Sequence, residues 1–246
     1  MIFLGFSNFL RKIVGKKPGK CAAVIVAAGS SSRMKGINKL LAELDGKPVI
    51  HHTLEAFQEC DMISQIIVVT KEDMVAYLTQ LCKANDFTKV SDITVGGAER
   101  IDSVMIGLTF AGKDIRLAAI HDGARPLITV EQIETALFKA AETGAAAPAI
   151  PVKDTIKTAF QGAVLNTPDR STLFAVQTPQ VFDIDLLRGA LQKAKDTKSP
   201  VTDDCSAVEQ LGMKVHLTEG SEENIKITTP LDLMLAEAIL LGRNKK

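Results

Sequence analysis

The chain has 246 residues, 46% of them hydrophobic and 24% charged, which is typical of a globular protein with one substantial α/β core. Its 29 basic residues balance 29 acidic ones, which excludes attraction of nucleic acid by net charge, and no apolar run is long enough to be an integral membrane segment. The four cysteines form no CxxC pair, which indicates reduced thiols in a cytoplasmic protein.

The first 20 residues combine apolar side chains with five cations and no acid. Because the cations follow the apolar residues and no small-residue cleavage site is visible, the segment matches a signal peptide poorly. It could form a basic amphipathic helix that lies on anionic lipid. We favour the alternative, a flexible extension, followed by a single domain over residues 21–243.

From Cys21 onward, short apolar runs alternate with longer amphipathic stretches. This alternation predicts a Rossmann-like α/β fold, a mostly parallel sheet covered by helices on both faces. The first strand, AAVIVA, is apolar throughout, as a strand buried on both faces should be. Strands are predicted at 22–27, 65–70, 92–95, 117–121, 145–150 and 214–217, and helices at 49–60, 72–84, 100–111, 130–143, 184–195, 203–211 and 230–241.

Several predicted helices carry their own start and stop signals. Thr129 and Gln132 have the spacing of a capping box, and Gly144 lies where that helix should end. Asp203 and Asp204 predict the N-cap and a favourable first-turn charge of a later helix. Such signals place helix boundaries without any knowledge of tertiary contacts.

Residues 152–182 interrupt the alternation. Stretches of β-prone residues surround Gln161-Gly162 and residues 166–169, and no clear helix is present. The segment therefore predicts a β-arm that protrudes from the sheet. Because an arm with no core of its own needs a surface to pack against, a second copy of the chain is the natural candidate. We accordingly expect a homodimer formed through the arm.

The first predicted strand runs into a loop of small and hydroxyl-bearing residues, 27–33 (AAGSSSR), and Lys39 follows Arg33 by six positions. Such a loop at the carboxyl end of a parallel strand lets backbone N–H groups approach a triphosphate, and the two cations can bond its oxygens. Neither GxxxxGK[ST] nor GxGxxG is present, which disfavours a P-loop NTPase and a dinucleotide-dependent oxidoreductase. A serine-rich surface turn with solvated cations is the alternative interpretation.

A second motif, HDGARP at 121–126, follows another buried strand. The change from buried strand to polar loop places Asp122 at the edge of the sheet where ligands bind. Because magnesium prefers one or two carboxylates together with phosphate oxygens, Asp122 is a candidate Mg²⁺ ligand. Arg125 lies close enough to pair with phosphate or with Asp122, and we interpret His121 as a buried, hydrogen-bonded core residue.

Seven segments lie in order between about Cys21 and Leu241. They are AAVIVAAGSSSRM (22–34), GGAERIDSV (96–104), HDGARP (121–126), PVKDTIK (151–157), DRSTLFAVQTPQVF (169–182), TDDCSAVE (202–209) and NIKITTPLDL (224–233). Together they resemble the 2-C-methyl-D-erythritol 4-phosphate cytidylyltransferases of the non-mevalonate isoprenoid pathway. The resemblance implies a Mg²⁺-assisted nucleotidyltransferase that transfers the CMP moiety of CTP to methylerythritol phosphate and releases pyrophosphate. The reaction it implies is an in-line attack of the substrate phosphate on the CTP α-phosphate.

The resemblance also assigns roles in CTP binding. Arg33 and Lys39 match loop residues that stabilise the transition state at the α-phosphate, and Asp122 matches the magnesium ligand. Further matches, which recognise the cytosine ring and ribose or lie along the same nucleotide pocket, are Gly97, Ser103, Ala28, Gly29 and Ser30. The chain departs from the family pattern at Asn38 and Leu40, where proline and glutamine are usual, and at Ala98, where an acid is frequent.

For the second substrate, Arg170 and Lys226 match residues that hold methylerythritol phosphate for attack. Thr155 and Arg170 lie on the arm, which in the family crosses to the partner subunit of a homodimer. The residue types suit this chemistry on their own account, because a phosphate monoester has a second pKa of about 6 and is already ionised near neutral pH. No general base is needed, and cations, Mg²⁺ and backbone donors can stabilise the charge that develops.

Two other functions remain open. A cytidylyltransferase acting on ribitol 5-phosphate would share the fold and the CTP half of the site. The loop AAGSSSRM and the element Asp169-Arg170 followed by QTPQ fit it less well. A non-catalytic nucleotide-binding homologue would bind CTP without turnover, but such a site would be free to lose the charges that this chain retains.

Overall fold

A computed structural model describes residues 19–29 and 38–243. The strands in these residues are β1 Cys21–Val26, β2 Glu43–Leu44, β3 Lys47–Pro48, β4 Ile63–Thr70, β5 Val90–Val95, β6 Leu117–Asp122, β7 Ala145–Pro151, β8 Thr158–Phe160, β9 Ala163–Asn166, β10 Phe174–Val176, β11 Gln180–Asp183 and β12 His216–Glu219. The helices are α1 Val49–Glu59, α2 Glu72–Ala84, α3 Arg100–Thr109, α4 Val130–Thr143, α5 Ile184–Asp196, α6 Asp204–Glu209 and α7 Pro230–Arg243.

The main sheet is parallel at its centre. β1 lies between β4 and β6 and pairs with both in parallel, and β5 adds a parallel edge strand next to β4. On the other side, β11 is antiparallel to both β6 and β7, and β12 runs parallel to β7. The prediction of a mostly parallel α/β sheet is confirmed, and the carboxyl ends of β1, β4 and β6 meet at one edge.

Helices cover both faces of this sheet, as the sequence predicts. Alternate residues of β1 point to opposite faces, so Ala23 and Ile25 belong to one apolar cluster and Ala22 and Val24 to the other. The first cluster includes side chains of α1, α2 and α4, and the second includes side chains of α3, α5 and α6. A smaller cluster packs α7 against β2 and the start of α1. β1 is therefore buried on both faces.

The predicted capping signals act where the sequence places them. The Thr129 hydroxyl accepts from the N–H of Gln132, the Gln132 side chain accepts from the N–H of Thr129, and helix α4 ends at Gly144 with φ of 85°. This left-handed conformation favours glycine, because glycine has no Cβ that would clash with the backbone. Asp203 caps α6 by accepting from the N–H of Ser206. The boundaries of both helices thus follow from local hydrogen bonding.

The segment 152–182 divides into two parts. Strands β8 and β9 form a hairpin that, within residues 19–29 and 38–243, pairs only with itself. Its turn at Gln161 and Gly162 has positive φ at both residues, as a tight hairpin turn requires. β10 and β11 instead belong to the main sheet, next to β7. The protruding part of the segment is therefore the β8–β9 hairpin and its flanks, which is shorter than the arm predicted over 152–182. The difference arises because β11 pairs with β6 and β7, strands that are distant in the sequence.

Some predictions fall on residues that the structure does not describe. Nearly all of the extension predicted over residues 1–20 lies outside the described ranges, and so do Ser30 and Arg33 of the phosphate loop. Within residues 19–29 and 38–243, no helix has the length and apolar character needed to cross a bilayer.

Candidate active site

A cavity of about 350 Å³ opens at the carboxyl ends of β1, β4 and β6. Open α/β sheets of this type bind ligands in the crevice outside the carboxyl ends of their parallel strands. The cavity brings together residues that are far apart in the sequence but were each predicted to act in one site. These residues are Ala28, Gly29, Lys39, Gly97, Ser103, Asp122 and Lys226.

Gly97 lines the cavity just before α3, and Gly96 precedes it in the chain. A Cβ on Gly97 would lie 2.3 Å from the Cβ of Asp102, and a Cβ on Gly96 would lie 2.6 Å from the hydroxyl oxygen of Ser103. The N–H of Gly97 donates to that hydroxyl at 3.2 Å, and the hydroxyl donates to the carbonyl of Glu99. The backbone therefore lies directly on the first turn of α3, which only glycine permits.

Asp122, at the end of β6, is the electrostatic centre of the cavity. Its carboxylate is almost fully buried, with Lys226 Nζ 2.9 Å and Arg125 Nε 3.5 Å from Oδ2. Burial by itself would raise the pKa of Asp122, but the charges of Lys226 and Arg100 outweigh that effect and lower its pKa to about 2. Asp122 is therefore ionised throughout the physiological range.

The donor set around Asp122 fits magnesium held jointly with a nucleotide. Within the described ranges, no cluster of three or more His, Cys, Asp or Glu side chains could hold a metal ion. A single buried carboxylate at the tip of a strand, facing a cavity lined by cations, matches an ion that takes one or two protein carboxylates and completes its shell with phosphate oxygens and water.

Lys226 is placed opposite Asp122 by contacts between two distant segments. The N–H of Ile227 donates to the carbonyl of Ala124 at 2.8 Å, and Arg125 Nη1 donates to the carbonyl of Asn224 at 2.6 Å. Asn224, fully buried, donates in turn to the carbonyl of Thr178 at 3.1 Å. Thr178 also accepts, through its hydroxyl, from the N–H of Asp122. Thr178 and Asn224 thus connect the HDGARP and NIKITT segments, a connection that the sequence does not predict.

Lys39 also lines the cavity, just after the undescribed part of the phosphate loop. The side-chain oxygen of Asn38 accepts from the N–H of Leu40 at 3.1 Å, and its carbonyl accepts from the N–H of Ala42 at 3.1 Å. Leu40 itself is buried in the core. Asn38 therefore fixes the turn at Lys39 by side-chain hydrogen bonding, where proline would do so by restricting φ.

Two predicted residues do not line the cavity. Thr155 is exposed, and Arg170 is exposed in a short 3₁₀ turn, where its Nη1 donates to the carbonyl of Lys153 at 2.7 Å. Both lie at the base of the β8–β9 hairpin and do not face this chain's own cavity. If Thr155 and Arg170 contribute to such a cavity, it is therefore the cavity of another copy of the chain.

His121 is a core residue, which confirms the interpretation from sequence. It is fully buried, its Nδ1 lies 3.0 Å from the Thr178 hydroxyl and its Nε2 lies 3.3 Å from the carbonyl of Arg125. Burial lowers the pKa of His121 to about 4. The ring is therefore neutral and helps to hold the HDGARP loop in place.

Sequence reasoning missed several residues of the cavity wall, among them Lys71, Glu99 and Arg100. Arg100 forms an ion pair with Asp204, whose carboxylate is completely buried. Glu99 is the N-cap of α3 and forms a capping box with Asp102. The spacing of Glu99 and Asp102 could have predicted this cap, but no local pattern connects Arg100 with Asp204.

The Rossmann-like sheet and the cation-lined cavity at its carboxyl edge are typical of an α/β protein that binds an anionic ligand such as a nucleotide. A family model described as 2-C-methyl-D-erythritol 4-phosphate cytidylyltransferase matches residues 21–242, and the chain belongs to this family. A protein of that name from Halalkalibacterium halodurans is 43% identical over 226 residues, covering 92% of this chain and 99% of its own. Another, from Caldanaerobacter subterraneus, is 46% identical, covering 89% and 98%.

Solved structures show the same similarity. The 4-diphosphocytidyl-2C-methyl-D-erythritol synthase of Anaerococcus prevotii superposes with a TM-score of 0.82 at 29% identity, covering 92% of this chain and all of that one. The 2-C-methyl-D-erythritol 4-phosphate cytidylyltransferase of Thermus thermophilus superposes with a TM-score of 0.72 at 30% identity, covering 88% and 97%. The family and the fold predicted from the sequence are thus confirmed.

Proposed function

We propose that the cavity transfers the CMP moiety of CTP to 2-C-methyl-D-erythritol 4-phosphate, giving 4-diphosphocytidyl-2-C-methyl-D-erythritol and pyrophosphate. One observation carries the proposal: Lys39, Lys226 and the buried carboxylate of Asp122 face one cavity at the ligand-binding edge of the sheet. Such a site brings two anionic phosphates together, which is the main obstacle to this reaction.

CTP would lie along the floor of the cavity. The cytosine and ribose would lie at the glycine-lined end, against Gly97 and Ser103, and the phosphates would lie over the backbone of Ala28 and Gly29. Lys39, with Arg33 and Ser30 of the same loop, would stabilise the negative charge that develops on the α-phosphoryl oxygens as pyrophosphate leaves. Asp122 would hold Mg²⁺, which when bound supplies neutralisation of the triphosphate charge.

The acceptor phosphate would bind on the Lys226 side of the cavity. It is already ionised near neutral pH, so its oxygen can attack the α-phosphorus in line with the leaving pyrophosphate without a general base. Lys226 would offset the repulsion between the two anions and orient the attacking oxygen. Because Asp122 also pairs with Lys226 at 2.9 Å, its carboxylate holds this ammonium group within the cavity.

We propose further that the enzyme is a homodimer in which the arm of each subunit completes the acceptor site of the other. Large apolar side chains of the β8–β9 hairpin are exposed, with Phe160 at 64%, Val164 at 60% and Leu165 at 67%. Such side chains favour contact with another protein surface. In this dimer, Thr155 and Arg170 would reach the acceptor phosphate of the neighbouring subunit.

The proposed location is the cytoplasm, and the proposed catalytic domain covers residues 21–243. All four cysteines are buried and unpaired, as expected for thiols kept reduced. The domain limits agree with the segment that matches the family model.

A coupled pyrophosphate assay with CTP, Mg²⁺ and methylerythritol phosphate tests the proposed reaction. We expect rapid pyrophosphate release with this acceptor, little with ribitol 5-phosphate, and little when UTP replaces CTP. Faster turnover of ribitol 5-phosphate would favour the sister activity instead. CTP binding without pyrophosphate release, in the presence of each acceptor, would identify a non-catalytic nucleotide-binding protein.

A further inference from the structure

An ion pair that the proposed reaction does not use lies in the wall of the cavity. Arg100 Nη1 is 2.7 Å from Oδ2 of Asp204. The Asp204 side chain is 1% exposed, whereas the Arg100 side chain is 32% exposed and lines the cavity. The carboxylate is thus enclosed by protein, and the guanidinium group faces the space that the nucleotide would occupy.

The fold alone does not account for this pair. Arg100 is the first residue of α3, where the helix dipole favours anions and disfavours a cation. Burying the Asp204 carboxylate carries a desolvation cost that the attraction to Arg100 offsets only in part, so a buried pair of this kind is a weak source of stability. Residues that break local rules in this way are concentrated at functional sites.

The backbone of Asp204 is anchored to the main sheet. The side-chain oxygen of Gln180 accepts from the N–H groups of Asp204 at 3.0 Å and Cys205 at 3.1 Å. The side-chain nitrogen of Gln180 donates to the carboxylate of Asp203, the N-cap of the same helix, at 2.7 Å. Because Gln180 is the first residue of β11, Asp204 presents its carboxylate to Arg100 from an anchored backbone, and the ion pair restricts the Arg100 side chain before any ligand binds.

The guanidinium of Arg100 lies close enough to Asp122 for the charge of each group to shift the pKa of the other. Burial alone would lower the pKa of Arg100, but Asp204 and Asp122 raise it, so the guanidinium stays charged. Arg100 also contributes to the low pKa of Asp122. With Nη1 engaged by Asp204, the guanidinium fork still has N–H donors for a phosphate oxygen.

We propose that Arg100 is a further nucleotide-binding residue that contacts the phosphates of CTP, and that Asp204 is the positioning residue that aims it. The inference rests on the proposed function, since it takes CTP as the ligand of this cavity. It assigns to the TDDCSAVE segment a role beyond capping a helix, because the second aspartate orients a cation 104 positions earlier in the chain.

Binding of CTP and of cytidine, measured by calorimetry, tests the proposal. Removing the cation in Arg100→Met should weaken CTP binding about 10-fold or more, because a charge-assisted hydrogen bond to phosphate is lost. Cytidine has no phosphate, so its affinity should change by less than about twofold. Asp204→Asn should shift CTP binding in the same direction by a smaller factor, and Arg100→Lys should restore part of the affinity.

A double variant separates this role from a structural one. Arg100→Met leaves Asp204 as an unpaired buried charge and should lower Tm, whereas Arg100→Met combined with Asp204→Asn removes both charges and should recover Tm. CTP affinity should stay low in the double variant, and the KM for CTP should rise while the KM for the acceptor stays unchanged. If CTP affinity recovers together with Tm, or if CTP and cytidine weaken equally, the pair is structural and the proposal is overturned.

These outcomes are distinguishable from failure of the proposed function. If the wild-type protein releases no pyrophosphate from CTP and methylerythritol phosphate, the proposed reaction is wrong whatever the variants do. If the wild-type protein is active and Arg100→Met binds CTP normally, the reaction stands and only the role of Arg100 is wrong.

Discussion

The cavity and the arm are stabilised in opposite ways. The cavity stands on β1 and β6, whose side chains are buried on both faces, and its key groups Asp122 and Ser103 are themselves buried. Among the described residues, the hairpin of the arm pairs only with itself, and it exposes Phe160 and Leu165. In the proposed dimer, the nucleotide half of the site therefore lies within a single chain, whereas the acceptor half also uses the arm of the neighbouring subunit.

The largest expected effect lies on the cavity side of this comparison. Lys39→Ala and Arg33→Ala should each lower kcat about 100-fold or more, by analogy with the loss of a single preorganised electrostatic donor at a transition state. Steady-state kinetics with CTP and methylerythritol phosphate provide the measurement. Near-normal turnover in either variant would remove that residue from its proposed catalytic role.

Mixing two inactive variants tests whether the arm acts on the neighbouring subunit. Lys39→Ala and Arg170→Ala, unfolded together and refolded as a mixture, should recover about a quarter of wild-type activity, because half of the dimers are mixed and each has one intact site. A mixture of Lys39→Ala with Asp122→Ala is the matched control. Both changes lie in the cavity, so no mixed dimer has an intact site, and no recovery should occur.

If the first mixture stays inactive while each protein refolds, Arg170 acts on its own subunit. If Arg170→Ala alone keeps near-normal activity, Arg170 has no role in the reaction. Recovery in both mixtures would point instead to exchange of whole segments between chains. The activity of the first mixture relative to the control therefore measures the contribution of the arm directly.

The same substitution in the two regions should have different effects on stability. Val24→Ala removes methyl groups from a fully buried strand, where they pack against Gly107, and should lower the free energy of unfolding by about 2 kcal/mol. Val164→Ala, on a side chain that is 60% exposed, should change it by less than about 0.5 kcal/mol. Urea denaturation at low protein concentration compares them, and an equal loss would show that the arm is part of the core.

The sequence predicts the cavity better than it predicts the arm, for a physical reason. The strand AAVIVA and the helix between Thr129 and Gly144 are specified by local burial pattern and local hydrogen bonds, and the structure has both. β11 is not specified locally, because it pairs with β6, and the paired residues Gln180 and Ile120 are 60 positions apart. Local patterns carry no information about such a partner.

The same limit applies within the candidate site. Asp122 can be predicted as a site residue because it ends a buried strand, and Lys39 because it follows a loop of small and hydroxyl-bearing residues. The sequence predicts Asp203 as a helix N-cap and Asp204 as a first-turn charge, and both predictions are confirmed in α6. Asp204 also pairs with Arg100 at the start of α3, and no local pattern predicts this contact because the two residues lie 104 positions apart.

Acid stability should depend on His121, near the end of β6, and not on the arm. Burial lowers the pKa of His121 from its ordinary 6.5 to about 4 in the folded protein. Between these two values the unfolded chain binds a proton that the folded protein does not, so this residue destabilises the fold as the pH falls. The loss is about 1 kcal/mol per pH unit below about pH 6.5 and levels off near pH 4.

His121→Gln cannot titrate, so its free energy of unfolding should fall less steeply with acid than that of the wild-type protein. Urea denaturation at several values between about pH 7 and about pH 5 measures the difference in slope. Equal slopes for His121→Gln and the wild-type protein would mean that His121 takes up its proton in the folded state, which its burial opposes because the charged ring would lose its hydration.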